Sequence, residues 1–308
     1  MYVALAGGVG AARFLEGLIR VIPQKETTII GNVGDDVEFY GLHISPDLDI
    51  VAYTLAGQVD HAKGWGFRSD TFHSQEQLLT YGYAPWFNLG DRDLATHLFR
   101  TEQLRAGDSL SDVTAAITSR LGLHVKLLPA SDDPLTTYVQ TKKGRMHFQE
   151  YMVKRKTTPK VSGVFFQGSK SARPARDVIE SIRKADGVLI CPSNPIVSIG
   201  TILAVKGIRS TIRKARAKVV AISPIIGGKT VKGPADKLMK ALGIEVSAYG
   251  VAYCYRDFLD ALIIDNVDKK LVPRIQELGI KPIATNTLMK TMSDKIRLAR
   301  IAISELNN

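Results

Sequence analysis

Between Asn32 and Asp49 the chain reads NVGDDVEFYGLHISPDLD, which gathers Asp35, Asp36, Asp47 and Asp49 into one short stretch. Local duties account for some of them: Asp49 as a helix N-cap, Asp47 as a turn residue. Facing a phosphate, four carboxylates would repel it unless a hard cation bridged the two. Mg2+ suits that task, because it takes one or two carboxylates together with phosphate oxygens. The cluster therefore points to metal-assisted transfer of a phosphoryl-type group. Asp35, Asp36 and Asp47 are the expected catalytic carboxylates, and Asp35 and Asp36 the expected metal ligands. Which of them is the base the residues leave open. Asp49 comes after a further turn and opens a helix that can face an aromatic region, so it is expected on the acceptor side.

A phosphate also needs a cradle. In VALAGGVGAARFLEGL an apolar run meets Gly7, Gly8 and Gly10 and then becomes helical. The stretch lacks the lysine of a phosphate loop and the spacing of a dinucleotide fingerprint. Its glycines still allow backbone to approach an anion at a helix N-terminus, with Arg13 just beyond. Two later loops have similar composition. CPSNP carries Ser193 and Asn194, with Ser198, Gly200 and Thr201 following; SPIIGGK carries Ser223, Gly227, Gly228 and Lys229. One such loop is ordinary turn chemistry, but three together favour a nucleotide. In WFNLGDRDLATH, Trp86 and Phe87 can pack a core and Asp91 can cap a helix. The functional reading is a lip where an aromatic acceptor stacks on Trp86 while Asn88, Asp91 or Arg92 holds its polar edge.

These loops follow strand-like apolar runs at 2–7, 27–33, 124–130, 187–193, 218–224 and 280–286. Continuous apolar runs mark strands buried on both faces. Helical patterns fit 10–22, 173–185, 198–217, 234–242, 268–278 and 293–306. Alternation of the two predicts an α/β fold: a Rossmann-like, doubly wound, mostly parallel sheet whose ligands bind beyond the carboxyl ends of the strands. The core is expected at 1–134 and 173–308, with a helical cap within about 58–122. Alternating residues around Lys143–Gly144 predict a β-hairpin inserted at 135–172.

The 308 residues are 45% hydrophobic, enough for a large core, and no apolar run is long enough to span a membrane. The opening MYVALAGG has no basic leader, and a cytoplasmic protein is expected. Cys191 and Cys254 lie in apolar surroundings and read as buried free thiols; the histidines are scattered, so no zinc site is expected. The net charge of +11 favours an anionic partner. Its basic runs, at 142–160 and 205–218, lack the interleaved aromatics of nucleic-acid recognition, so small anions are expected and nucleic acid is not.

LAGGVGAARFLEGL, NVGDD, SPDLDIVAYTLAG, WFNLGDRDLATH, LPASDDPLTTYVQT, FQEYMV, CPSNPIVSIGTIL and ISPIIGGKTVKGPADKLM together resemble the CofD family of 2-phospho-L-lactate transferases over nearly the whole chain. The resemblance implies a role in coenzyme F-420 biosynthesis. A phospholactyl group would pass from lactyl-2-diphospho-5'-guanosine to the deazaflavin Fo, releasing GMP, with Mg2+ and in a homodimer. The glycine turn, the Ser193–Asn194 turn and the Ser223 loop would then hold the guanosine diphosphate portion, and Asp49 and Asn88 fall on deazaflavin-contact positions. Whether lactate, enolpyruvate or glycerate is carried stays open. Two other readings share features: a nucleotide-sugar-binding relative among gluconeogenesis factors, and an NAD-dependent dehydrogenase. The dehydrogenase would use Asp35 or Asp36 on a ribose, but the glycine spacing is wrong for it.

Overall fold

Short aliphatic runs that cannot face water on either side collect into one seven-stranded parallel sheet in the computed structural model, which describes residues 1–308. The strands are β1 (Tyr2–Ala6), β2 (Thr27–Gly31), β3 (Lys126–Pro129), β4 (Gly187–Ile190), β5 (Lys218–Ile222), β6 (Ala261–Asp265) and β7 (Lys281–Thr285). Their spatial order is β3-β2-β1-β4-β5-β6-β7. The chain winds outward from β1 to β3, then returns to pair β4 with the other side of β1. That reversal opens a crevice beyond the carboxyl ends of β1 and β4, the usual ligand position in such sheets. The Rossmann-like architecture expected from the sequence is present.

Three details differ from the sequence reading. β6 was not anticipated: ALIID is brief and ends in acid, and only its place between β5 and β7 makes it a strand. The helical pattern over 198–217 breaks into Ile199–Ala204 and Ile208–Lys214, because Gly207 turns left-handed at φ 97 between them. The pattern over 173–185 becomes helical only at Val178, just after Asp177 at φ 69.

Helix α1 (Gly8–Leu18) leaves β1 directly and packs on α2 (Pro46–Leu55) and on the C-terminal helix (Met292–Asn307). The last contact is close enough that a Cβ at Gly17 would strike the Lys295 backbone, and a buried Lys295–Glu16 ion pair joins the same two helices. Beyond α2 come α3 (His73–Thr80), α4 (Asp91–Ala106) and α5 (Leu110–Arg120), the helices of the expected cap region. The hairpin is also present, as Thr136–Thr141 against Gly144–His147. A third strand, Val161–Gln167, pairs with Thr136–Thr141 on its other side, so the inserted segment is a three-stranded antiparallel sheet. No helix is long and apolar enough to cross a membrane. Both cysteines are free, Cys191 buried and Cys254 partly so.

Gly10 is a packing glycine: a Cβ there would run into the Pro192 carbonyl at the end of β4. Gly10→Val should therefore destabilise the protein by roughly 1–3 kcal/mol or more through overpacking, seen as a melting temperature several degrees lower. An unchanged melting temperature would show that the β1–α1 turn does not depend on this contact.

Candidate active site

The crevice at the β1/β4 switch continues into a cavity of about 650 Å3, within the range of small-molecule sites. Its floor is the turn from β1 into α1. Ser193 Oγ donates to the Gly7 carbonyl at 2.8 Å and accepts from the Gly7 amide at 3.3 Å, which ties the two central loops together. Asn194 turns inward on itself, its Oδ1 accepting from the Ile196 amide at 3.0 Å. Gly8 has φ 71, a conformation that favours glycine. A Cβ on Gly7 would lie 2.6 Å from Ser198 Cβ and 2.9 Å from Asp47 Oδ2. Backbone is thus bare where α1 begins, and a carboxylate lies against it.

That carboxylate, Asp47, is fixed by Asn32, a fully buried residue whose Nδ2 donates to Asp47 Oδ2 at 2.8 Å and also reaches the Val197 carbonyl at 3.3 Å. Burial pushes the Asp47 carboxyl up to about 7; the Asn32 hydrogen bond opposes the rise and the nearby Asp36 charge adds to it. Asp35, also in the lining, is raised well above the usual carboxylate range, first by burial and then by Asp47. Gln149, from the inserted segment, donates to its Oδ2 at 3.4 Å, while its buried Oδ1 has no partner.

Two carboxylates that resist ionising side by side, one with an orphaned oxygen, fit a hard cation. No group of three or more His, Cys, Asp or Glu side chains is assembled to hold a metal unaided. Mg2+ held here would have to complete its shell from phosphate and water. The expected partner of Asp35 was Asp36, and here the structure differs. Asp36 is outside the cavity lining, its Oδ2 accepting from Ser45 Oγ at 2.8 Å and lying 3.0 Å from His43 Nε2. Asp35 and Asp47 are the two raised carboxyls in the lining.

Opposite them stand cations. Arg13 and Lys232 both line the cavity and neither is in an ion pair. Lys232 is held below the usual lysine range, first by burial and then by Arg13. Its Nζ rests against Gly64, where an added Cβ would come within 2.7 Å. Two unpaired cations beside the N-terminus of α1 make an anion site. Lys232 and Gly64 were not named as site residues from the sequence, although Lys232 lies within the quoted ISPIIGGKTVKGPADKLM stretch.

A second electrostatic unit spans α2 and α4. Arg100, 1% exposed, binds both carboxylate oxygens of Asp49 and places Nη1 3.1 Å from His97 Nδ1. Asp49 is thus a paired anion and not a free base. Tyr53, one turn after Asp49, donates to Asp93 Oδ1 at 2.9 Å. Trp65, Phe87, Phe148 and Asn88 also line the cavity.

Several expected residues are not brought to the cavity. Trp86 packs edge-on to Phe39, with ring centroids 5.2 Å apart, and its neighbour Phe87 takes the lining position. Asp91 accepts from Thr71, His73 and Ser74 and so caps α3; those bonds hold its carboxyl below the usual range. Gly227 and Gly228, at φ 57 and 74, form the two-residue turn between Ile225–Ile226 and Lys229–Thr230, while Ser223 does reach the lining.

Over residues 2–302 the sequence matches the family model of 2-phospho-L-lactate transferase CofD. The chain belongs to the CofD family. A phosphoenolpyruvate transferase of Kitasatospora aureofaciens is 45% identical, covering 98% of this chain and 96% of its own. A 2-phospho-L-lactate transferase of Methanosarcina acetivorans is 42% identical, covering 98% and 97%. Among solved structures, a UPF0052 family protein of Bacillus halodurans shares the fold at TM-score 0.66 and 18% identity, covering 98% of both chains. The protein is therefore a transferase of the CofD family, of coenzyme F-420 biosynthesis.

In a CofD-family transferase the Asp47 charge is a liability until ligands arrive. With its folded-state carboxyl raised, the native state binds more protons than the unfolded chain between the ordinary carboxylate range and about 7. This group's contribution to stability is therefore lost as pH rises through that window. Asp47→Asn should raise the melting temperature of ligand-free protein at pH 8, by roughly 1–3 kcal/mol in stability, and should do much less at pH 5. Turnover should fall at both. Equal stabilisation at the two pH values, measured calorimetrically, would mean that Asp47 is not protonated in this interval.

Proposed function

We propose that the protein transfers a phospholactyl group from lactyl-2-diphospho-5'-guanosine to the terminal hydroxyl of the deazaflavin Fo, releasing GMP, with Mg2+ present. The observation that carries this reading is the family match over residues 2–302, set beside a cavity whose lining includes both Arg13 and Lys232 and the aromatic residues Trp65 and Phe87. The donor's diphosphate belongs at the N-terminus of α1, between Arg13 and Lys232. Asp35 and Asp47 would hold Mg2+. When bound, that ion supplies charge neutralisation for the phosphates. The Fo ring belongs against Trp65 and Phe87 on the α2/α4 side, with Asn88 and the Asp49–Arg100 pair near its polar edge. The chain's own contribution is then to hold both substrates, align the hydroxyl with the phosphorus and keep fixed dipoles around the transferring group.

A second donor is favoured by a specific observation. Streptomyces relatives at 44% and 45% identity are named phosphoenolpyruvate transferases, no further from this chain than the lactate-named relatives at 41% and 42%. An enolpyruvyl donor is accordingly the alternative three-carbon group, and both belong in the same assay.

Purified protein with Fo, Mg2+ and either donor should release GMP and give a phosphodiester of Fo detectable by mass spectrometry. Absence of GMP above a no-enzyme control with both donors would end the transferase assignment for these substrates. Arg13→Ala and Lys232→Ala should each weaken GDP binding about tenfold or more, the usual worth of a charge-assisted hydrogen bond, and leave Fo binding unchanged. Calorimetry showing wild-type GDP affinity in both variants would move the diphosphate away from this corner.

A further inference from the structure

Asp91 and Asp93 sit two positions apart at the start of α4, on different sides of the helix. Asp91 spends its oxygens on the neighbouring segment, as described. Asp93 points to the cavity, and its two oxygens are treated differently. Oδ1 accepts the Tyr53 hydroxyl at 2.9 Å and lies 3.3 Å from His97 Nε2. Oδ2 receives no hydrogen bond from any protein donor, although the residue is only 8% exposed.

The groups on Oδ1 are themselves locked as donors. A guanidinium has no acceptor, so the Arg100 contact makes His97 Nδ1 the accepting nitrogen and leaves the ring proton on Nε2, toward Asp93. That N–H is off-line for a hydrogen bond and contributes as a nearby dipole. Tyr53 is raised well above the usual tyrosine range, first by burial and then by Asp49 and Asp93, so it keeps its proton and keeps donating. The Asp93 carboxylate is therefore oriented from behind, with one oxygen in use and the other left to the cavity.

A carboxylate oxygen that opens onto a cavity without a protein donor favours a ligand that brings one. Building on the proposed acceptor, we infer that Asp93 is a specificity-determining residue: its Oδ2 accepts a hydrogen bond from an N–H or O–H group of the bound heteroaromatic acceptor. Tyr53 and His97 are positioning residues for that carboxylate. The pair would reject a planar molecule of equal size that presents only acceptor atoms at this edge.

The test is Asp93→Asn. An amide can keep its oxygen on the Tyr53 hydroxyl while turning NH2 into the cavity, so the ligand-facing atom changes from acceptor to donor with little change in shape. Fo binding is read by fluorescence titration, GDP binding by calorimetry and folding by the melting temperature. Wild-type protein should bind Fo. Asp93→Asn should weaken that binding about tenfold or more, with GDP affinity retained. Tyr53→Phe, which releases the anchor without touching Oδ2, should give a smaller loss of the same kind. Wild-type Fo affinity in Asp93→Asn overturns the inference, as does a parallel loss of Fo and GDP binding with a lowered melting temperature. Should Asp93→Asn not fold, unchanged Fo affinity in Tyr53→Phe overturns it as well. Failure of wild-type protein to bind Fo removes the acceptor assignment itself, and the inference falls with it.

Discussion

The site depends on one steric and electrostatic requirement: the first turn of α1 must lie bare against Asp47. Gly7 leaves just enough room between Ser198 and the Asp47 carboxylate, and a single added carbon would occupy it. Asn32 then fixes the carboxylate from the other side and reaches the loop after β4 at the same time. Three chain segments thereby converge without a large side chain between them. Backbone amides, buried acids and the Ser193 hydroxyl share a space of a few ångströms because nothing bulky separates them. The arrangement is strained electrostatically: two acids are raised well out of their ordinary range where a helix end and two cations wait for an anion. Such a site is preorganised to receive an anion.

The α2/α4 side solves a different problem. There the acids are compensated within the protein, Asp49 by Arg100 and Asp93 by Tyr53 with His97 behind it. A buried carboxylate that is paired stays oriented and takes little part in proton traffic. Charge is thus left open around Asp35 and Asp47, whereas Asp49 is closed by Arg100 and Asp93 keeps a single oxygen free. That division matches a reaction in which one substrate carries the negative charge and the other presents a planar ring and a hydroxyl.

How much of this was legible follows from how local each signal is. Residues just past the carboxyl ends of β1, β2 and β4 could be read from the sequence because topology alone places them together. Gly7, Gly8, Asp35, Ser193 and Asn194 were found in that way, Asp47 from the acidic run before α2, and all of them line one cavity. Asp91 was named at a helix start, where a residue reads as functional or as a cap equally well. The deciding contact, to Thr71 and the start of α3, is tertiary. Trp86 was expected against the acceptor, yet it packs on Phe39 and its neighbour Phe87 lines the cavity. Arg100 lay outside every motif: its importance comes from meeting Asp49 across two helices, a distance of fifty-one residues along the chain. Gln149 and Lys232 likewise depend on where an inserted sheet and a late loop come to rest.

The likeness to the Bacillus halodurans structure shows what the scaffold alone accounts for. At 18% identity the winding of strands and helices is retained across 98% of both chains. Fold therefore fixes where a ligand enters, at the reversal between β1 and β4, but says nothing of the chemistry done there. That chemistry resides in side chains the sheet does not need for stability. Asp47 and Lys232 carry charges that burial penalises, and Asp93 leaves an oxygen unused. None of these improves the packing of the core, which is built from aliphatic strands and would be as sound without them. Groups that cost stability at one end of a well-packed sheet are the physical mark of a working site, because only a bound substrate offsets the cost.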